Sequence, residues 1–184
     1  GISGGGKSTL INLIAGLYPL QSGYMMIGHH KRLSNASEPS SLHSIAMLAQ
    51  EPDLFNRSIW DNITYGLCVS EKSVTHALKH ACAFDFVSHM PKGLGTIVGE
   101  RGARLSRGQK QRLVLARFFL QKASIYLLDE ALASLDEKNQ SVLLQSIWEH
   151  TKGSTTIMVT HQIQHLAEAD RIYELKSGRL RLIE

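Results

Sequence analysis

The most specific chemistry lies at the start of the chain. Gly1-Ile2-Ser3-Gly4-Gly5-Gly6-Lys7-Ser8-Thr9 fits the pattern G-x-x-x-x-G-K-[ST] and runs directly into an amphipathic stretch. Glycines let backbone N–H groups turn toward a phosphate without side-chain obstruction, and the positive end of the following helix faces the same anion. The spacing predicts that Lys7 bridges the β- and γ-phosphates of a nucleotide and that the Ser8 hydroxyl takes a place on Mg²⁺.

A second constellation sits far along the chain, where the apolar run Ile125-Tyr126-Leu127-Leu128 ends in Asp129-Glu130. Adjacent carboxylates at a strand tip, where open α/β sheets bind ligands, can divide the work. Asp129 would hold Mg²⁺, directly or through water, and Glu130 would orient and polarise an attacking water. Taken alone the pair is an ordinary solvated strand end. Joined to the phosphate loop it becomes a candidate site.

These residues need elements to position them. Leu10, Ile11, Ile14 and Leu17 mark one helical face, ended by Gly16 and Pro19. A strand is predicted at 24–27 and a serine-rich loop at 34–44. Residues 58–90 are mostly helical in pattern, and Pro91 with the glycines up to 102 breaks them. A largely buried helix is predicted over 106–121, followed by a strand at 125–128. Leu143, Leu144, Ile147 and Trp148 share a face of the next helix, which Ser134 and Glu137 open in capping-box spacing. A β-branched strand at 155–160, a short helix at 162–169 and a hairpin (171–175 and 179–183, turned at 176–178) close the chain. Alternating strands and helices imply an α/β sheet with a helical insertion.

The 184 residues suit one domain, and 43% hydrophobic content is enough for a proper core. Twenty basic and sixteen acidic residues give a net charge of +4, spread along the chain. Nothing there argues for nucleic acid or an anionic membrane as partner. Cys68 and Cys82 cannot make a disulfide framework or a metal cage, so a reducing compartment is expected. The charge-free stretch 8–30 is broken by Asn12, Gly16, Pro19 and Gln21, which excludes a membrane span. No secretory signal is visible. A chain that opens on Gly1, with no strand ahead of its phosphate loop, reads as a fragment of something longer.

Five elements in order resemble the ATP-binding cassette (ABC) ATPase domain over nearly the whole length. Beyond the phosphate loop and the acidic pair, Leu105-Ser106-Arg107-Gly108-Gln109 resembles the family signature L-S-G-G-Q and opens a helix. Gln50 resembles the Q-loop glutamine, Asp136 in Ala133-Ser134-Leu135-Asp136 the D-loop aspartate, and His161 the switch histidine. The loop from Thr96 to Gly102, and the stretch from Leu54 to Gly66, resemble exporters more than importers or soluble members.

The resemblance implies a P-loop NTPase-like α/β fold over 1–184, with a mainly parallel sheet and a helical subdomain inserted near 58–120. It implies ATP and Mg²⁺ as cofactors, with ATP contacts from residues 1–9 and Gln50. Ser8, Gln50 and Asp129 would ligate the metal, and Glu130, His161 and Gln50 would be catalytic. A second ATPase domain, identical or related, would complete the pocket with its own Leu105, Ser106, Arg107, Gly108 and Gln109. A transmembrane domain, of the same or a partner chain, would hold the assembly at the cytoplasmic face of a membrane. Arg107 replaces the first signature glycine, and Leu132 and Ala133 replace the Thr and Ser that commonly follow the acidic pair. Two other readings stay open: a heterodimer partner that binds ATP but turns it over poorly, and a soluble ABC ATPase acting on nucleic acid or ribosomes.

Overall fold

The computed structural model describes residues 5–28, 30–33, 45–50, 53–133, 135, 137–162 and 166–183. Its first element, α1 (Lys7–Ala15), begins after Gly6 at φ 90° and stops at Gly16 at φ 78°. Left-handed backbone of this kind is open to glycine at no Cβ cost. Ile11 points inward and is buried. Leu17, expected on the same face, is 64% exposed, because the Gly16 cap turns the chain away before that residue.

β1 (Tyr24–Ile27) and β2 (His30–Leu33) form an antiparallel hairpin with Ile27 opposite His30. The central sheet is parallel, ordered β3 (Ile45–Leu48), β4 (Ile125–Asp129), β5 (Thr155–Val159). The sequence pattern marks neither β2 nor β3 as a strand. Both are four residues long, as β1 is, but neither is bracketed on both sides by glycine as β1 is by Gly23 and Gly28. Parallel neighbours require long crossovers. The first is a helical layer between β3 and β4, and the second is α6 (Glu137–Thr151) between β4 and β5. β4, paired on both sides, buries Tyr126, Leu127, Leu128 and Asp129, as expected of a covered parallel strand.

The helical layer comprises α2 (Ile59–Thr64), α3 (Glu71–His80), α4 (Phe84–Ser88) and α5 (Arg107–Leu120). Serine side chains start three of them. Ser58 Oγ accepts from Asp61 N–H at 3.0 Å, and Ser70 Oγ accepts from Ser73 N–H at 3.2 Å. Ser106 and Gln109 form a reciprocal capping box on α5. Ile59, Ile63, Val74, Leu78, Leu113 and Phe118 from this layer join Leu128 of β4 and Leu143 and Ile147 of α6 in one apolar cluster. α5 is thus the element through which the helical layer grips the sheet.

The chain closes with β6 (Tyr173–Lys176) and β7 (Arg179–Leu182), turned through Ser177 and Gly178, both at positive φ as a tight hairpin turn demands. Of the predicted helix at 162–169, residues 163–165 lie outside the described residues. So does Ser134, the predicted cap of α6.

Candidate functional site

The site forms where the C-terminal ends of β3, β4 and β5 meet. Parallel pairing of Leu48 with Leu128, and of Asp129 with Val159, brings the residues after each strand to one edge. Gln50 follows β3, Glu130 follows β4 and His161 follows β5. The Gln50 amide Nε2 donates to Glu130 Oε2 at 2.8 Å. His161 Nε2 lies 2.5 Å from Glu130 Oε1, with the histidine side chain 46% exposed and the glutamate 17%. One carboxylate is therefore held from both sides by residues distant in sequence, one before it and one after.

Glu130 reaches this pose through an uncommon backbone. Its N–H still bonds the Val159 carbonyl at 3.0 Å, extending the ladder by one residue. Its φ is then 48°, left-handed for a residue with a side chain. Such a conformation costs on the order of 1–2 kcal/mol and persists only where neighbours over-determine it. The kink turns the chain out of the sheet and presents the carboxylate at its edge. The loop Glu130–Ala133 and the segment from Met158 to Gln162 then face each other across a pocket of about 80 Å³.

The loop is held from below by two buried amides. Gln111 of α5 donates through Nε2 to the Ala131 carbonyl. Gln140 of α6 donates to the Leu132 carbonyl at 3.1 Å and the Leu135 carbonyl at 2.8 Å. Both glutamines are nearly inaccessible, at 1% and 4% exposure. Sequence reasoning passed over both. The available signal was a polar residue on an apolar helical face: Gln111 shares the inward stripe of Leu115 and Phe118, at i+4 and i+7.

Asp129, beside Glu130, is 5% exposed, and its Oδ1 has no hydrogen-bond partner among the described residues. A buried, unpaired carboxylate oxygen is costly unless a cation or donor answers it. The Ser8 hydroxyl, Gln50 amide oxygen and Asp129 carboxylate expected to meet here would make an all-oxygen set, which suits Mg²⁺, an ion that takes one or two carboxylates and fills its remaining positions with phosphate and water. On the chemistry of its donors the site fits that ion.

The other expected residues are distributed along two helix starts. Lys7, Ser8 and Thr9 form the first turn of α1, which packs against β4. Gly5 and Gly6 precede it, while Gly1, Ile2, Ser3 and Gly4 lie outside the described residues. Leu105 is buried at 8% exposure, Ser106 and Arg107 are exposed, and Gly108 and Gln109 are half-buried in the first turn of α5. This group is not independent of the loop that follows Glu130. A Cβ placed on Gly108 would touch Leu135 at 3.8 Å. Asp136 lies outside the described residues.

The comparisons agree with this architecture. The ABC transporter family matches residues 1–133. A Staphylococcus aureus protein named as a multidrug export ATP-binding/permease protein is 39% identical over 98% of this chain and 31% of its own length. The ATP-dependent lipid A-core flippase of Methylobacillus flagellatus is 38% identical over the same shares. A bacterial Atm1-family ABC exporter solved with ATP bound superposes with a TM-score of 0.87 and 34% identity, covering 97% of this chain and 31% of that one. The chain belongs to the ABC transporter family, and its α/β core has the fold of the matching part of that ATP-bound structure. It spans just under a third of the length of each of these relatives.

Proposed function

We propose that this chain hydrolyses ATP to power export, and that two such domains close head to tail on the nucleotide to do so. The observation that carries the reading is the Glu130 carboxylate, held between Gln50 and His161 beside the unanswered oxygen of Asp129. A carboxylate so oriented at a strand tip is equipped to take a proton from an attacking water. Its contact with His161 supports active turnover over the poorly hydrolysing alternative.

In this mechanism the backbone donors of residues 1–6 and the start of α1 cradle the phosphates, and Lys7 adds charge to the β- and γ-phosphates. Ser8, Gln50 and Asp129 would hold Mg²⁺, and that ion would supply charge neutralisation on the transferring phosphate. Glu130 orients the water and accepts its proton. His161 hydrogen-bonds the γ-phosphate and Glu130 together, so its position reports whether that phosphate is present.

The second domain contributes Leu105 to Gln109. The Ser106 oxygen accepts from Gln109 N–H at 3.2 Å, and its own hydroxyl hydrogen remains to be donated to a phosphate across the interface. Preorganised donors around developing phosphate charge are the largest expected contribution to rate.

No helix among the described residues is long and apolar enough to cross a membrane. We assign membrane passage to a transmembrane domain, of the same or a partner chain, that places this domain at the cytoplasmic face. Exposed Phe55, Tyr65 and Leu67 line a groove beside α2 that suits an inserted partner helix. The names of the relatives point to drug-like or lipid-like cargo. Glu130→Gln in the intact exporter tests the core of this reading: turnover should fall at least about 100-fold, while ATP still binds and holds the two domains closed. Near-normal hydrolysis in that variant would show that Glu130 is not the base.

A further inference from the structure

The loop after β4 carries a tie that the mechanism above does not use. Gln111 is 1% exposed, two residues beyond Gln109 on the same helix. It spends its amide N–H on the carbonyl of Ala131, the residue directly after Glu130. Gln111 Oε1 is buried with no hydrogen-bond partner among the described residues. A leucine or methionine would fill the same space without a stranded acceptor, so burial alone does not account for an amide here. What the amide does supply is a fixed point for a strained backbone. Glu130 sits at φ 48°, and a residue in that conformation stays there only if the chain on both sides is held. Val159 holds the peptide before it, and Gln111 holds the residue after it.

The same helix begins with Ser106 and Gly108, and Gly108 packs toward Leu135 at the far end of the loop. α5 therefore touches the loop twice, once in its first turn and once in its second. We propose that Gln111 is a positioning residue for catalysis: it locks the Glu130 carboxylate in its strained pose and makes that carboxylate and the Ser106 end of α5 one rigid unit. The donors that one domain offers to a neighbour's nucleotide would then move together with the base that acts on its own. The inference rests on the role of Glu130 proposed above.

The test uses the intact ATPase. Gln111→Met keeps length and apolar volume and removes the N–H. The expected result is a kcat at least tenfold lower, equilibrium affinity for a non-hydrolysable ATP analogue within twofold of the parent, and a cooperative melt. Val74→Ala, a core change in α3 remote from the loop, should lower the melting temperature by as much or more and leave kcat per folded molecule within twofold. If Gln111→Met does not fold, Gln111→Asn replaces it, since it keeps an amide but withdraws it by one carbon; the same loss of kcat at unchanged affinity is expected. A kcat within twofold of the parent in the folded variant overturns the proposal, as does an equal loss of kcat in Val74→Ala. Glu130→Gln measured alongside separates the two failures. If it is inactive while Gln111→Met is normal, only the positioning role falls; if it is active, the functional reading beneath it falls too.

Discussion

The helical layer and the strand-tip loop are built by opposite means. In the layer, Ile59, Ile63, Val74 and Leu113 are fully buried, and apolar contact does the holding. In the loop a few residues on, the holding is done by Gln111 and Gln140 amides, by paired side chains on Glu130, and by a backbone kink. Carboxylate or amide oxygens of Gln111, Asp129 and Gln140, in or under the loop, are buried without partners among the described residues. The contrast teaches that this chain pays for geometry at the loop with stability supplied by the layer, the expected division where chemistry needs polar groups in fixed positions.

Three measurements break or sharpen that contrast. The largest effect should come from the layer: Leu78→Ala, at a position 2% exposed, should cost about 2–5 kcal/mol of stability. Its kcat per folded molecule should stay near the parent's. A variant with normal melting would mean that the layer is not the stabilising half. Next, His161→Ala should lower turnover about 100-fold, equivalent to about 2.7 kcal/mol of barrier. Because that side chain is half exposed, the melting temperature should barely move. Loss of folding in His161→Ala would erase the distinction.

The smallest effect arises at the other end of β4 from the loop, where α6 meets α5. His150 of α6 packs edge-on against Phe119 and Tyr126, with its Nε2 3.1 Å from the Gln121 carbonyl. Burial pushes its pKa below the ordinary 6.5, the Gln121 carbonyl draws it partway back, and His80 depresses it further. The unfolded chain therefore binds this proton more readily than the fold does. The stabilisation is complete above about pH 6.5 and is lost as pH falls below that value. Melting should be lower at pH 5.5 than at pH 7.5 by a contribution from this group. His150→Phe, which keeps the ring contacts, should flatten the dependence; an unchanged slope would assign it elsewhere.

Much of this was legible in one dimension. Gly6-Lys7-Ser8, the apolar run into Asp129-Glu130, and Ser106 with Gln109 are local patterns, and each sits in the structure on the element its pattern demands. β2 and β3 escape such reading because no glycine pair or hairpin turn brackets them, as Gly23 and Gly28 bracket the equally short β1. Leu17 falls off the helical face its spacing suggests, because periodicity does not register where a left-handed Gly16 ends the helix. Gln111 and Gln140 escape for another reason: a glutamine on an apolar stripe names no partner.

Residue order alone settled the kind of chemistry, because phosphate cradles and acidic strand tips are made from contiguous residues whose spacing is their geometry. Only the folded chain decided which distant side chains share one carboxylate. Parallel pairing of β3, β4 and β5 brings Gln50, Glu130 and His161 together, and the carbonyl of Ala131 finds its donor on a helix that precedes β4 in the chain. Such contacts are set by strand register and packing over long separations, and no local pattern encodes them.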